Sequence, residues 1–251
     1  MAGGTESLVV GVAAVAMAVG ALQIAARRRA AQGRWLLAAG ALVCLLGMVA
    51  ATVHWGEDAF LSTVTAAAGM LTFAAFWSVA LVPPMPRAQA GYGLLAAGAV
   101  AGYLMAPRYL TATAVLHDVS YGLSAWAYVA GAGVLVAGLA HTPLSDGSSD
   151  DVAANPHLSL ATLCLTVSLA AQGAATQWAW GSYWVGDPAE YLRLLGWIGV
   201  ALGWVVAAEF GRHRRAVAWS LRAAAGVVIV VLLGSMALIQ ALGLPSLYLA
   251  G

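Results

Sequence analysis

The chain predicts an all-α, polytopic membrane helix bundle of about eight transmembrane helices with both termini on the outer side, and three observations carry that prediction. Of its 251 residues, 62% are hydrophobic and only 8% charged, with a mean hydropathy of +0.86. A soluble domain carries about 25% charged residues, so this chain lacks the polar groups to clothe a water-facing surface. Its apolar residues come in long unbroken runs. In lipid the backbone must satisfy its own hydrogen bonds, so such runs form helices, whereas the strands of a membrane barrel would alternate apolar and polar residues. Finally, the 11 basic residues, all arginine, concentrate on alternate connections between the runs.

A span needs about 20 mostly apolar residues. The first candidate is 7–26, preceded by Glu6 and by no basic residue, so it reads as a retained helix and not as a cleaved signal peptide. Residues 35–54 and 60–82 follow. The fourth run, 88–106, is short, rich in Gly and Ala, and stopped by Pro107. The fifth, 111–140, exceeds one span, which places its first turn or two outside the hydrocarbon. Residues 141–156 (HTPLSDGSSDDVAANP) are acidic and full of turn formers. They read as an inner hinge within a single membrane domain, between a five-helix part (1–140) and a three-helix part (157–251). Runs 158–177, 192–210 and 216–242 complete the set. Ala and Gly dominate throughout, which permits close helix contacts in lipid. No internal repeat stands out.

With the N-terminus outside, the inner connections hold Arg27, Arg28, Arg29, Arg34, Arg87, Arg212, Arg214 and Arg215, and Arg222 can snorkel back to that side. Only Arg108 and Arg193 fall outside. That asymmetry sets the orientation by the positive-inside rule.

Several function classes are excluded. A net charge of +1 and the absence of a basic patch argue against nucleic-acid binding. Without a lysine there is no amine for a retinal Schiff base. Cys44 and Cys164 lie apart in apolar runs with no CxxC, and read as buried small hydrophobes. No metal-spaced His/Cys/Glu set, Ser-His-Asp arrangement or phosphate-binding glycine loop is present. The spans carry few mid-membrane charges, which disfavours a small-molecule transporter.

Polar and aromatic groups at membrane depth or at its edge are costly and therefore mark candidate sites. They gather on the outer connection between the sixth and seventh spans, Gln177–Tyr191 (QWAWGSYWVGDPAEY). Trp and Tyr there fit an aromatic belt at the headgroups, or a platform for a flat apolar ligand. Asp187 followed by Pro188 is an N-cap with proline at the first helical position. Glu190 and Arg193, three apart, can pair on the helix that follows. His117 beside Asp118, and His54 near Glu57 and Asp58, are outer histidines. Each is a surface group or a ligand, and Asp118, as a helical neighbour, points about 100° away from His117. His141 and His157 flank the hinge and read as solvated; His213 belongs to the inner arginine anchor.

The segment 178–191 resembles the tryptophan-rich WWD segment of the CcsA/ResC family of cytochrome c maturation proteins, whose pattern is close to WGSYWxWDPKET. Trp180, Gly181, Ser182, Tyr183, Trp184, Asp187, Pro188 and Glu190 fall on it in register, and Trp197 matches a tryptophan in the following helix. His54 falls where the family often has Gly-His before its third helix, and His117 sits like the family's outer histidine at the start of a long helix. The resemblance implies a cytochrome c maturation factor that handles or exports haem b and presents it on the outer face for attachment to apocytochrome c, beside a ResB-type membrane partner. Trp180, Tyr183 and Trp184 would line the haem, Asp187 would hold the segment in place, His117 would ligate the haem iron, and His54 is a secondary haem-binding candidate. Any enzymatic role it implies is a part in a holocytochrome c synthase (haem lyase) system. The chain also departs from the pattern. Gly186 replaces the second WWD tryptophan, Ala189 a lysine, and Val205 the membrane histidine, and no histidine follows His213. These departures point to the alternative of a haem-free scaffold subunit of an assembly or respiratory complex that retains the fold.

Overall fold

The computed structural model describes residues 3–27, 29–55, 63–80, 85–106, 119–142, 156–210 and 213–246. Every regular element among them is an α-helix: α1 (Gly3–Ala25), α2 (Ala30–Trp55), α3 (Thr63–Ala80), α4 (Pro86–Met105), α5 (Val119–His141), α6 (Pro156–Trp180), α7 (Pro188–Glu209) and α8 (Arg214–Ala241). Seven of them, all but α4, contain a segment long and apolar enough to cross a membrane. The helices are apolar on both faces. Along α1, Met17, Ala21 and Ile24 are buried, while Leu8, Val12, Val15 and Leu22 are exposed. An outward apolar face of this kind suits lipid and not water.

The chain divides into two compact units, Met1–Leu110 and Thr111–Gly251. In the first, α1 to α4 close into a ring, each helix packing on its two neighbours. Glycines set the closest approach. A Cβ on Gly20 would lie 2.6 Å from the Gly33 carbonyl oxygen, and one on Gly40 would lie 2.7 Å from that of Ala13. Backbone therefore rests on backbone between α1 and α2, the contact small residues provide where no hydrophobic effect drives helices together. Polar side chains tie helix ends. The Gln89 amide on α4 donates to the Ser78 carbonyl on α3 at 2.8 Å, and Arg34 on α2 donates to the Val79 carbonyl at 3.4 Å. Cys44 is fully buried, with its thiol 3.6 Å from the Val10 carbonyl, and Cys164 is half-buried; both thiols are free.

In the second unit, α5 to α8 form a ring of the same kind, with α5 packed on α6 and α8. The sequence reading grouped the fifth helix with the first four. In the structure it belongs to the second unit, because its buried faces are spent on α6 and α8. Of the hinge expected at 141–156, residues 143–155 lie outside the described residues. His157, expected to be solvated, is instead buried, because the start of α6 turns it onto α5, where Gly138 leaves room for the imidazole. The side chain of His141 lies outside the described residues. Arg222 donates to the carbonyls of Ala218 (2.8 Å) and Thr142 (3.1 Å). It thus caps the end of α5, where helix carbonyls lack partners and a cation is favoured.

Candidate functional site: the aromatic turn between α6 and α7

Helix α6 runs on through Trp178 to Trp180, and α7 starts at Pro188. The connection is therefore Gly181–Asp187, shorter than the Gln177–Tyr191 read from the sequence. Gly181 ends α6 in the left-handed region (φ 71°), its N–H donating to the Gln177 carbonyl at 2.9 Å. A glycine at this position is the usual way a helix stops. Ser182 Oγ donates to the Trp184 carbonyl (2.7 Å), and Thr176 Oγ1 donates to that of Tyr183 (2.9 Å), which fastens the turn to α6.

The sequence DPAE fixes the far side. Asp187 is the N-cap of α7, its Oδ1 accepting the Ala189 N–H at 2.8 Å and the Ser246 hydroxyl at 3.1 Å. Glu190 reaches back as in a capping box: its Oε2 accepts the N–H groups of Val185 (3.1 Å) and Gly186 (3.0 Å). Both carboxylates are buried. Gly186 adopts φ 76°, a conformation in which an L side chain is strained. The glycine standing where the WWD pattern has tryptophan thus has a backbone role. It lets two successive N–H groups converge on one carboxylate oxygen.

This frame presents the rings. Trp178 and Tyr183 are each 70% exposed, and Trp180, Trp184 and Tyr191 are partly so. Trp184 meets Tyr191 edge to face at 5.4 Å, and Trp180 meets Tyr121 of α5 at 6.4 Å. Such pairs hold ring orientation while leaving faces open. The structure therefore brings Trp180, Tyr183, Trp184 and Asp187 together. His117 and Asp118 lie outside the described residues, four and three positions before Tyr121. His54 is in the last turn of α2, and its side chain is outside them too. Trp197 donates to Thr166 at 2.9 Å, a bond between α7 and α6, and Val205 is exposed. Among the described residues, no group of three or more His, Cys, Asp or Glu side chains is placed to hold a metal ion.

One cluster escaped the sequence reading. Arg193, placed outside by the charge pattern and expected to pair with Glu190, is buried in the α5–α8 unit. Its guanidinium donates to Ser124 Oγ on α5 at 2.8 Å and to Gln172 Oε1 on α6 at 3.2 Å. Ser168 Oγ donates to the Ser124 carbonyl at 2.7 Å, and Tyr128 is buried one turn further along α5. The available signal was spacing. Ser124 and Tyr128 on α5, and Ser168, Gln172 and Thr176 on α6, recur every fourth residue and so share a face.

Searches among known proteins find no matching family model, no matching curated protein and no matching solved structure. What the fold itself defines is a class: an all-helical chain whose apolar helices are consistent with an integral, multi-pass membrane protein.

Proposed function

We propose that this chain is a cytochrome c maturation factor of the CcsA/ResC type, lying in the inner membrane with eight spans and both termini outside. In this reading it handles haem b at the aromatic turn and presents it to an apocytochrome c in company with a ResB-type protein. The observation that carries it is the turn itself. Three aromatic side chains in register with the WWD pattern, Trp180, Tyr183 and Trp184, stand partly to largely exposed on a frame held by two buried carboxylates. Exposed rings on a fixed frame can bury large apolar areas against a porphyrin at little cost in conformational entropy. These rings would hold the haem, Asp187 would hold their frame, and His117 would supply an imidazole to the iron. Haem, when bound, supplies the vinyl groups that become thioethers in the finished cytochrome. The chain's own residues bind it and orient it.

The test is the visible spectrum of the purified protein. The expected result is haem absorption bands that shift or disappear in His117→Ala; absence of haem, or bands identical in the variant, contradicts the reading. A second reading, the haem-free scaffold subunit, is favoured by Gly186 and by the exposed Val205 at the position of the membrane histidine. It predicts normal covalent haem in c-type cytochromes when the gene is deleted.

A further inference from the structure

We propose that one end of the α1–α4 unit is a binding surface for the phosphate headgroups of anionic lipids, with Arg27, Arg29, Arg34 and Arg87 as its cations and Trp35 as its interfacial anchor. The packing brings these residues to the same end. Helices α1 and α2 run antiparallel, since Gly20 lies against Gly33 and Ala13 against Gly40. The turn that joins them therefore stands beside the close of α3 and the start of α4, where Arg34 donates to the Val79 carbonyl and Gln89 to that of Ser78. Arg27, Arg29 and Arg87 are exposed, and Arg34 is partly so, with its Nε–H lacking a partner among the described residues.

Nothing within the unit balances this charge. The acidic residues of its sequence are Glu6, in the first turn of α1, and Glu57 and Asp58, which follow the end of α2. Arg27 is 21 residues from Glu6, and Arg34 is 21 residues from Trp55 at the end of α2. Each distance is about 30 Å of helix, several screening lengths at physiological salt. The local backbone does not call for arginine either. Arg27 and Arg29 adopt φ of 54° and 53°, a conformation that penalises a side chain and is ordinarily filled by glycine at a helix end. Arg29 directly precedes α2 and Arg87 is the second residue of α4, positions at which the helix dipole disfavours a cation. Setting orientation needs only a count of charges near the ends of the spans, not charges at strained positions. An anion outside the protein accounts for both.

What borders the arginines identifies that anion as a headgroup. Trp35, next to Arg34, is 78% exposed, and further along α1 and α4 the apolar side chains of Leu22 and Leu95 are exposed. An indole between cations and an apolar flank is the arrangement of a bilayer interface, where lipid phosphates come within reach of basic side chains. The planar fork of each guanidinium matches two phosphate oxygens. The proposal needs only that these helices cross a membrane. It rests neither on the haem reading nor on the side to which this end faces.

The experiment reconstitutes the purified full-length protein in phosphatidylcholine vesicles and titrates in dibrominated phosphatidylglycerol or dibrominated phosphatidylcholine, whose bromines quench nearby indoles. Subtracting the same titration of Trp35→Phe isolates the signal of Trp35. Phosphatidylglycerol should be preferred at Trp35 by about tenfold or more, and rising salt should weaken the preference. Arg87→Gln should lower it by about fivefold, the factor for one basic charge at the interface. Arg27→Gly/Arg29→Gly should bring the two lipids close to parity. Because glycine suits both φ values, this double variant should unfold no more readily than the parent, so a lost preference reports charge and not a failed fold. Equal quenching of Trp35 by the two lipids in the parent, or an undiminished preference in both arginine variants, overturns the proposal.

Discussion

Replacing Asp187 by alanine probes the frame that presents the aromatic rings. Asp187 Oδ1 serves two donors, the Ala189 N–H at 2.8 Å and the Ser246 hydroxyl at 3.1 Å, and the side chain is buried. Loss of an N-cap costs about 1 kcal/mol, within a range of roughly 0.5–2. The bond to Ser246 joins a hydroxyl to a charged group and adds about 1.5 kcal/mol, the lower end for such bonds. Asp187→Ala should therefore destabilise the protein by about 2–3 kcal/mol, and Ser246→Ala by about 1–1.5. In the double variant the Ser246 bond is already gone, so its cost should match that of Asp187→Ala alone, giving a coupling of about 1 kcal/mol or more. Unfolding in mixed micelles with rising SDS, followed by far-UV circular dichroism, reads all three. Strict additivity, or an Asp187→Ala cost no larger than that of Ser246→Ala, refutes the claim that this carboxylate ties the segment after α8 to the turn.

The remaining predictions concern the turn and the helix contacts. Gly186→Ala should cost about 1–2 kcal/mol because φ is 76° there. Gly186→Trp, which restores the WWD pattern, should cost at least as much; a more stable protein in the same detergent unfolding assay would show that the backbone does not require glycine. Gly20→Leu should destabilise by about 3 kcal/mol or more, the upper end for overpacking, because the nearest obstacle is the Gly33 backbone and not a movable side chain. A variant that melts within a degree or two of the parent would refute the close α1–α2 contact.

The helices were legible because lipid leaves the backbone few options and the apolar runs are long. Their ends were less so. Hydropathy started the seventh span at Leu192, four residues late, since Pro188, Glu190 and Tyr191 look polar or interfacial. The Asp187 cap and the Glu190 return bond set the true start. Trp178 and Trp180 read as connection for the same reason and instead finish α6. The grouping of α5 was hidden because the acidic stretch after it resembles a boundary, whereas the partner of a helix is decided by which face it buries. Of the site, the four residues proposed to serve haem binding were singled out only through their resemblance to the WWD pattern, and Gly186 was visible only as a departure from it, since its φ cannot be read from a motif. The partners of Arg193 were not legible, because counting charges assigns a side to an arginine but cannot see Ser124 and Gln172 waiting on neighbouring helices.

The central claim is that the turn between α6 and α7 serves haem delivery to c-type cytochromes. Its most direct measurement is haem staining of membrane c-type cytochromes in a strain lacking this gene, complemented by the parent chain or by Trp180→Ala/Trp184→Ala. The account predicts loss of covalent haem in the deletion, recovery with the parent, and little recovery with the double variant despite normal protein levels. Normal staining in the deletion, or full rescue by the variant, contradicts it.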